Sequence, residues 1–150
     1  MLIESKKVQS ALNYATIKHK GQYDKAGKPY INHPIYVANQ FQTEEEQIIG
    51  LLHDTVEDTD ATLSEIEEQF GEDVAQVIKI LTHNYDNTYN EYIVKVSENA
   101  MATRIKLADL KNNMDLRRLK RIRMYDLKRW VKYYKARKYL LKTQEGIVKL

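Results

Sequence analysis

At 150 residues, with 43% hydrophobic and 30% charged side chains, the chain has the length and composition of one soluble globular domain. Such a domain buries roughly 70% of the surface its unfolded form exposes. There is no cysteine, which excludes a disulfide framework, thiolate metal ligation and a cysteine nucleophile. No apolar run approaches the roughly 18 residues of a membrane span, and Met1–Lys7 lacks the apolar core of a signal peptide, so the cytoplasm is the expected location.

The net charge of +3 hides an uneven distribution. Glu44 to Asp73 holds twelve acidic residues and no Lys or Arg, whereas Arg117 to Lys138 holds eleven basic residues against the single acid Asp126. Such asymmetry implies either a nucleic-acid arm or two segments that face each other within the fold.

In chain order the sequence reads as helix after helix. Val8, Leu12, Ala15 and Ile17, with Ala11 and Tyr14, form a helical stripe that ends at Gly21, and Gly21–Pro29 is a loop. Pro34 suits a first helical turn and is expected to push His33 toward an extended conformation at the helix entrance. There His33 is either a rigidly held metal ligand or a helix cap. Thr43 followed by Glu46 has capping-box spacing and opens a helix to Asp54, and Thr62 followed by Glu65 opens another that ends at Phe70-Gly71. Glu72–Leu81 carries Val74, Val77, Ile78 and Leu81 on one face. After a polar turn at 82–90, Tyr92, Ile93 and Val96 imply a further helix. Met101–Asp115 follows, with Leu107, Leu110 and Met114 on one row and Lys106, Asp109 and Asn113 on another. The last helix, Met124 to about Leu141, is expected to bury Leu127, Val131, Tyr134 and Leu141. No period-two alternation occurs, so the fold is expected to be all-α, a single domain over 1–150.

The most informative stretch is Leu51-Leu52-His53-Asp54-Thr55-Val56-Glu57-Asp58-Thr59, one imidazole and three carboxylates directly behind an apolar run. Ionised groups there cost several kcal/mol, roughly 2–7 even for merely polar ones, unless something neutralises them. A bound cation would do so; the alternative is a helix end followed by a solvated acidic turn. If the helix continues through Glu57, that residue shares a face with His53 and Asp54, where a carboxylate can manage a proton beside a metal. Asp109, in a largely apolar helix, wants a counter-charge that Lys106 could supply as a plain surface salt bridge. His33, His53, Asp54 and Asp109 thus form a candidate ligand set from three helices or helix ends. Mixed imidazole and carboxylate ligation fits Mn²⁺, Fe²⁺ or Zn²⁺ and disfavours Ca²⁺. Four protein ligands leave open positions, the mark of a catalytic site.

Gly21-Gln22, Pro29-Tyr30-Ile31, His33-Pro34, Val37-Ala38, Leu51–Thr59, Phe70-Gly71, Leu81-Thr82 and Lys106-Leu107-Ala108-Asp109 occur in an order that resembles the HD-superfamily hydrolase domain of the RelA/SpoT alarmone enzymes. The stand-alone small alarmone hydrolases are the most similar branch. The resemblance spans about His19 to Met114. It implies an HD-domain helical bundle holding one divalent ion, usually Mn²⁺, and removal of the 3′-pyrophosphate from guanosine tetra- or pentaphosphate. By position, His33, His53, Asp54 and Asp109 match the metal ligands, and Glu57 and Asp58 match the acidic pair that handles the water. Lys25 matches one of a basic pair in the first loop, and Asn113 matches an Asn that holds the nucleoside. Lys106 joins Lys25 as a cation offsetting phosphate charge. The chain departs from the pattern at Asp24, where the alarmone enzymes carry Arg, and at Leu110-Lys111-Asn112. Another phosphorylated nucleotide such as NADPH is the rival substrate, and Asp24→Arg is expected to strengthen tetraphosphate binding by about 1 kcal/mol if the loop is exposed. A chain of this length is expected to lack the synthetase domain of the long enzymes. A nucleic-acid role for the basic last helix, with Tyr125, Trp130, Tyr133, Tyr134 and Tyr139 as stacking platforms, is the alternative from another class.

Overall fold

The computed structural model describes residues 1–146, and among these the chain is helical with no strand; one isolated antiparallel bridge joins Tyr23 and Pro29 across the first loop. In order the helices are α1 (Lys6–Lys18), α2 (Asn32–Ala38), α3 (Glu44–Leu52), α4 (Thr55–Asp58), α5 (Leu63–Phe70), α6 (Glu72–Leu81), α7 (Tyr89–Ser97), α8 (Ala100–Asn113) and α9 (Met124–Gln144), with a 3₁₀ turn at Leu116–Arg118. The starts follow from local chemistry. Ser5, Thr43 and Asn99 each accept a backbone N–H of the first turn, and Thr62 and Thr88 form complete capping boxes with Glu65 and Glu91. Gly71 takes φ +97° between α5 and α6, a conformation that L side chains rarely adopt.

The central element is α3, where Gln47, Ile49, Leu51 and Leu52 are all fully buried. It packs against α1 and α2, and α8 closes over α2, α3 and α6. Gly50 lets α2 and α3 approach: a Cβ there would stand 2.8 Å from the Ala38 Cα. Among the described residues no helix is long and apolar enough to cross a membrane.

Three local expectations are corrected. His33 lies inside the first turn of α2 instead of in extended backbone, because Ile31 is already helical and the His33 N–H bonds the Tyr30 carbonyl. The helix does not run from α3 through Glu57; it breaks at His53-Asp54, where the Thr55 hydroxyl donates to the Leu52 carbonyl, and restarts as α4. On α9, Leu127, Val131 and Tyr134 are 44%, 45% and 46% exposed, and Leu141 is only partly buried. The inner face is Asp126, Ala136 and Leu140, with Tyr133 and Tyr139 against the core. The first half of α9 covers a polar cleft, so only its second half reaches apolar surface. In α1, Ile17 is likewise exposed, while Val8, Ala11 and Ala15 face the core.

Candidate metal centre and cleft

α2, α3 and α8 bring His33, His53 and Asp109 together, all buried, with one ligand atom from each lying within 4.8 Å of the others. The orientation of each ring is fixed from behind. The Gly50 carbonyl, which can only accept, lies 2.7 Å from His53 Nδ1, so that nitrogen carries the proton. Asn112 Oδ1, one turn beyond Asp109 on α8, does the same for His33 Nδ1 at 2.7 Å. Both Nε2 lone pairs therefore point inward, 3.3 Å apart. Asp54 Oδ2 stands 3.0 Å from His53 Nε2 and 3.4 Å from His33 Nε2, and Asp109 Oδ1 stands 3.1 Å from His33 Nε2 and 3.9 Å from His53 Nε2. The Tyr30 hydroxyl donates to Asp54 Oδ2, the Asn113 amide donates to Asp109 Oδ1, and Lys106 Nζ holds Asp109 Oδ2 at 2.8 Å.

Two imidazoles and two carboxylates gathered this closely need positive charge among them, with Asp54 half-buried and outside the group of three whose ligand atoms all lie within 4.8 Å of one another. Adjacent ligands of an ion bound at about 2.1 Å sit about 3 Å apart, the spacing found here. Without an ion, protons take its place. Burial opposes charge on the imidazoles, but hydrogen bonds and attraction from Asp109 and Asp54 outweigh it and push His33 up to about 10 and His53 upward as well. Burial likewise works against the carboxylates, yet the imidazoles hold Asp54 well below the usual carboxylate range, and Lys106 with His33 does so for Asp109. Two protons thus do the electrostatic work of one dication, and the donor set fits a divalent metal.

The cluster floors a cleft of about 510 Å³. Glu57 and Asp58 line it, Glu57 with its Oε2 accepting the His83 N–H at 2.7 Å from the loop after α6. Lost hydration, then the charges of Asp54 and Glu57, push the Asp58 carboxyl up to about 6. Lys25 lines the cleft with its ammonium 3.8 Å from the Tyr125 ring centroid, and Lys106 lines it while engaged by Asp109, the salt-bridge arrangement, here between a half-buried lysine and a buried carboxylate. Asp24 is not an open loop carboxylate. Its Oδ1 accepts the N–H groups of Ala26 and Lys28, both at 2.9 Å, and its Oδ2 pairs with Arg118 at 3.2 Å. The loop around it is exposed, but Asp24 itself is half-buried and already engaged. Arg118, Arg129 and Lys132 also line the cleft with Tyr89 and Tyr133. These three cations, Tyr30, His83 and the backing role of Asn112 had not been singled out. The advance signals were the basic run itself, the Pro29-Tyr30-Ile31 motif and the i, i+3 spacing of Asp109 and Asn112.

A divalent cation is what such a cluster takes, and comparison with known proteins gives the same class. The chain belongs to the HD domain family, which matches residues 11–101. It is 41% identical over 121 residues to a guanosine-3′,5′-bis(diphosphate) 3′-pyrophosphohydrolase of Danio rerio, covering 71% of this chain and 67% of that protein. It is 35% identical over 122 residues to the enzyme of the same name in Aquifex aeolicus, covering 73% of this chain and 18% of that protein. The chain thus spans less than a fifth of the length of the first long curated relative it matches. A solved structure of a metazoan ortholog of SpoT that hydrolyses ppGpp superposes with a TM-score of 0.76 at 28% identity, over 99% of this chain and 100% of that one. The all-α HD-type bundle and the likeness to the alarmone hydrolases hold.

Proposed function

We propose that residues 1–150 act as one HD-type hydrolase domain that removes the 3′-pyrophosphate from guanosine tetra- and pentaphosphate, with Mn²⁺ as its ion. The carrying observation is the approach of His33 Nε2, His53 Nε2, Asp54 Oδ2 and Asp109 Oδ1 to one another in a cleft that Lys25, Arg118, Arg129 and Lys132 also line. A relative of comparable length bears that activity in its name, which supports the substrate. Two imidazoles and two carboxylates without sulfur suit Mn²⁺, with Fe²⁺ and Zn²⁺ as alternatives. When bound, the ion supplies Lewis-acid polarisation of a phosphoryl oxygen and lowers the pKa of a water.

The protein's own groups do the rest. The His83 N–H fixes one oxygen of Glu57, leaving the other to orient the attacking water and take its proton. Asp58, beside Glu57 in the cleft lining, passes a proton to the ribose 3′-oxygen as the phosphorus–O3′ bond breaks. The products are GDP and pyrophosphate when the tetraphosphate is the substrate. Tyr30 and Asn113 keep Asp54 and Asp109 aimed, and Asn113 lines the cleft that would hold the nucleoside. Lys25, Arg129 and Lys132 offset phosphate charge, and Lys106 tempers Asp109 beside it.

The test is a panel of guanosine tetraphosphate, NADPH and GTP, each incubated with protein and Mn²⁺ and resolved by anion exchange. The expected result is tetraphosphate converted to GDP and pyrophosphate. Turnover of another panel member with the tetraphosphate untouched would overturn the reading.

A further inference from the structure

Lys25 stands between two cavities. On one side is the cleft; on the other is a hollow of about 460 Å³ lined by Lys25, Lys120, Arg121, Arg123, Tyr125 and Asp126, with Ala26, Gly27 and Leu119 completing it. Four of those side chains are cations. Asp126, the one acid of the lining, is buried, its carboxylate accepting the Arg123 N–H at 2.9 Å and reaching Arg129 at 3.9 Å, so one partly engaged carboxylate stands against four cations. Among the described residues Lys120, Arg121 and Arg123 enter no ion pair. Lys25 is held by the Tyr125 ring, a contact that leaves its charge uncompensated. The 21-residue helix α9 begins at this hollow and adds the positive end of its dipole.

Four cations without carboxylate partners around one concavity repel one another, and a polyanion relieves that repulsion. In the neighbouring cleft Lys106 is engaged by Asp109 and Arg118 by Asp24, which leaves Arg129 and Lys132 for the one diphosphate that meets the metal cluster beside Asp54, Glu57, Asp58 and Asp109. A nucleotide phosphorylated at both ends of its ribose needs two anion sites joined by a short path, and Lys25 borders both cavities. We infer that the hollow behind Lys25 binds the 5′-diphosphate of the nucleotide whose 3′-diphosphate lies at the metal cluster, a role that rests on the pyrophosphohydrolase reading. Lys120, Arg121 and Arg123 then set the preference for doubly phosphorylated nucleotides, while the cluster sets the chemistry.

The experiment compares KM for guanosine 3′,5′-bis(diphosphate) and for guanosine 3′-diphosphate, both with Mn²⁺, in wild type, in Lys120→Ser/Arg121→Ser and in Arg121→Glu. The substituted side chains are exposed, so the variants fold. Wild type is expected to show the lower KM for the bis(diphosphate). The double variant shifts the ratio of the two KM values by about tenfold toward parity, and the charge reversal shifts it further, as loss of charge-assisted contacts to one phosphate arm requires. A ratio that stays put in both variants overturns the subsite, as does a wild type that hydrolyses both nucleotides with equal KM; in either case the pyrophosphohydrolase reading stands. A wild type that hydrolyses neither nucleotide overturns that reading and the subsite with it.

Discussion

Asp24→Arg should weaken the enzyme, although charge counting alone says the opposite. The carboxylate closes the first loop through two backbone N–H groups at 2.9 Å and meets Arg118 across the cleft mouth at 3.2 Å. Each hydrogen bond contributes about 1 kcal/mol net, and a partly exposed ion pair at most about 1 kcal/mol, so the substitution removes about 2–3 kcal/mol of local order. It also sets two guanidinium groups side by side. If nucleotide binding needs the loop closed, kcat/KM falls by up to roughly 30- to 150-fold, since 1.4 kcal/mol is about tenfold. Asp24→Asn keeps an acceptor for the turn and loses only the ion pair, so its loss is no more than about fivefold. The assay is kcat/KM for guanosine tetraphosphate with Mn²⁺ at low and moderate salt. An Asp24→Arg enzyme equal to or better than wild type would refute the turn-closing role.

Gly50→Ala puts a methyl 2.8 Å from the Ala38 backbone and forces α2 from α3, at about 1–3 kcal/mol; calorimetry should show a lower Tm and weaker Mn²⁺ binding together, because His33 and His53 ride on those helices. Glu57→Gln should bind Mn²⁺ and nucleotide yet lose about 10²–10⁴-fold in kcat, and unchanged turnover would remove Glu57 from the mechanism. Mn²⁺ must displace the protons on the histidines, so its affinity should rise with pH until about 10 and binding should release protons, giving heats that depend on the buffer. The same raised His33 value stabilises the metal-free fold fully below about pH 6.5, and that contribution is lost as pH climbs through 10; a pH-independent Mn²⁺ affinity would contradict both.

Helices α5, α6 and α7 were legible because periodicity and caps are local: Thr62 carries its start signal within four residues, and Tyr92, Ile93 and Val96 mark α7, although its Thr88 capping box lies inside the stretch expected to be a turn. The cluster residues were legible because His53-Asp54 behind a buried run is costly without a purpose, and the ordered motif supplied one. What was not legible depends on how helices cross. Asn112 backs His33 only because α8 passes beside α2, and Tyr30 reaches Asp54 only because the first loop folds over α4. On α9 the apolar residues Leu127, Val131 and Tyr134 form a regular row, yet the row that faces inward is the one carrying Arg129 and Tyr133. Periodicity reports which residues could share a core, and cannot know that half the surface to be covered is a polar cleft.

The uneven charge of the chain resolves into two walls. Asp54, Glu57 and Asp58 from the acidic segment line one part of the cleft, and Arg118, Arg129 and Lys132 from the basic segment line another, with no salt bridge between the two sets among the described residues. A fold selected for stability alone would let such groups pair. Kept apart, they demand opposite ligands at once: a dication for the acidic side and a polyphosphate for the basic one. Either ligand alone meets repulsion from the opposite wall, so each should tighten the other's binding by the same factor, as linkage requires. The factor should be at least about fivefold, the lower end of ordinary coupling between sites. It can be read from guanosine tetraphosphate titrations of Glu57→Gln, whose slowed turnover leaves time for the measurement, with and without Mn²⁺. A His53→Ala/Glu57→Gln protein serves as the control for chelation by free nucleotide. Equal nucleotide affinity with and without metal in Glu57→Gln, or the same metal-dependent gain in the His53→Ala control, would show that the two walls do not communicate through a bound cation.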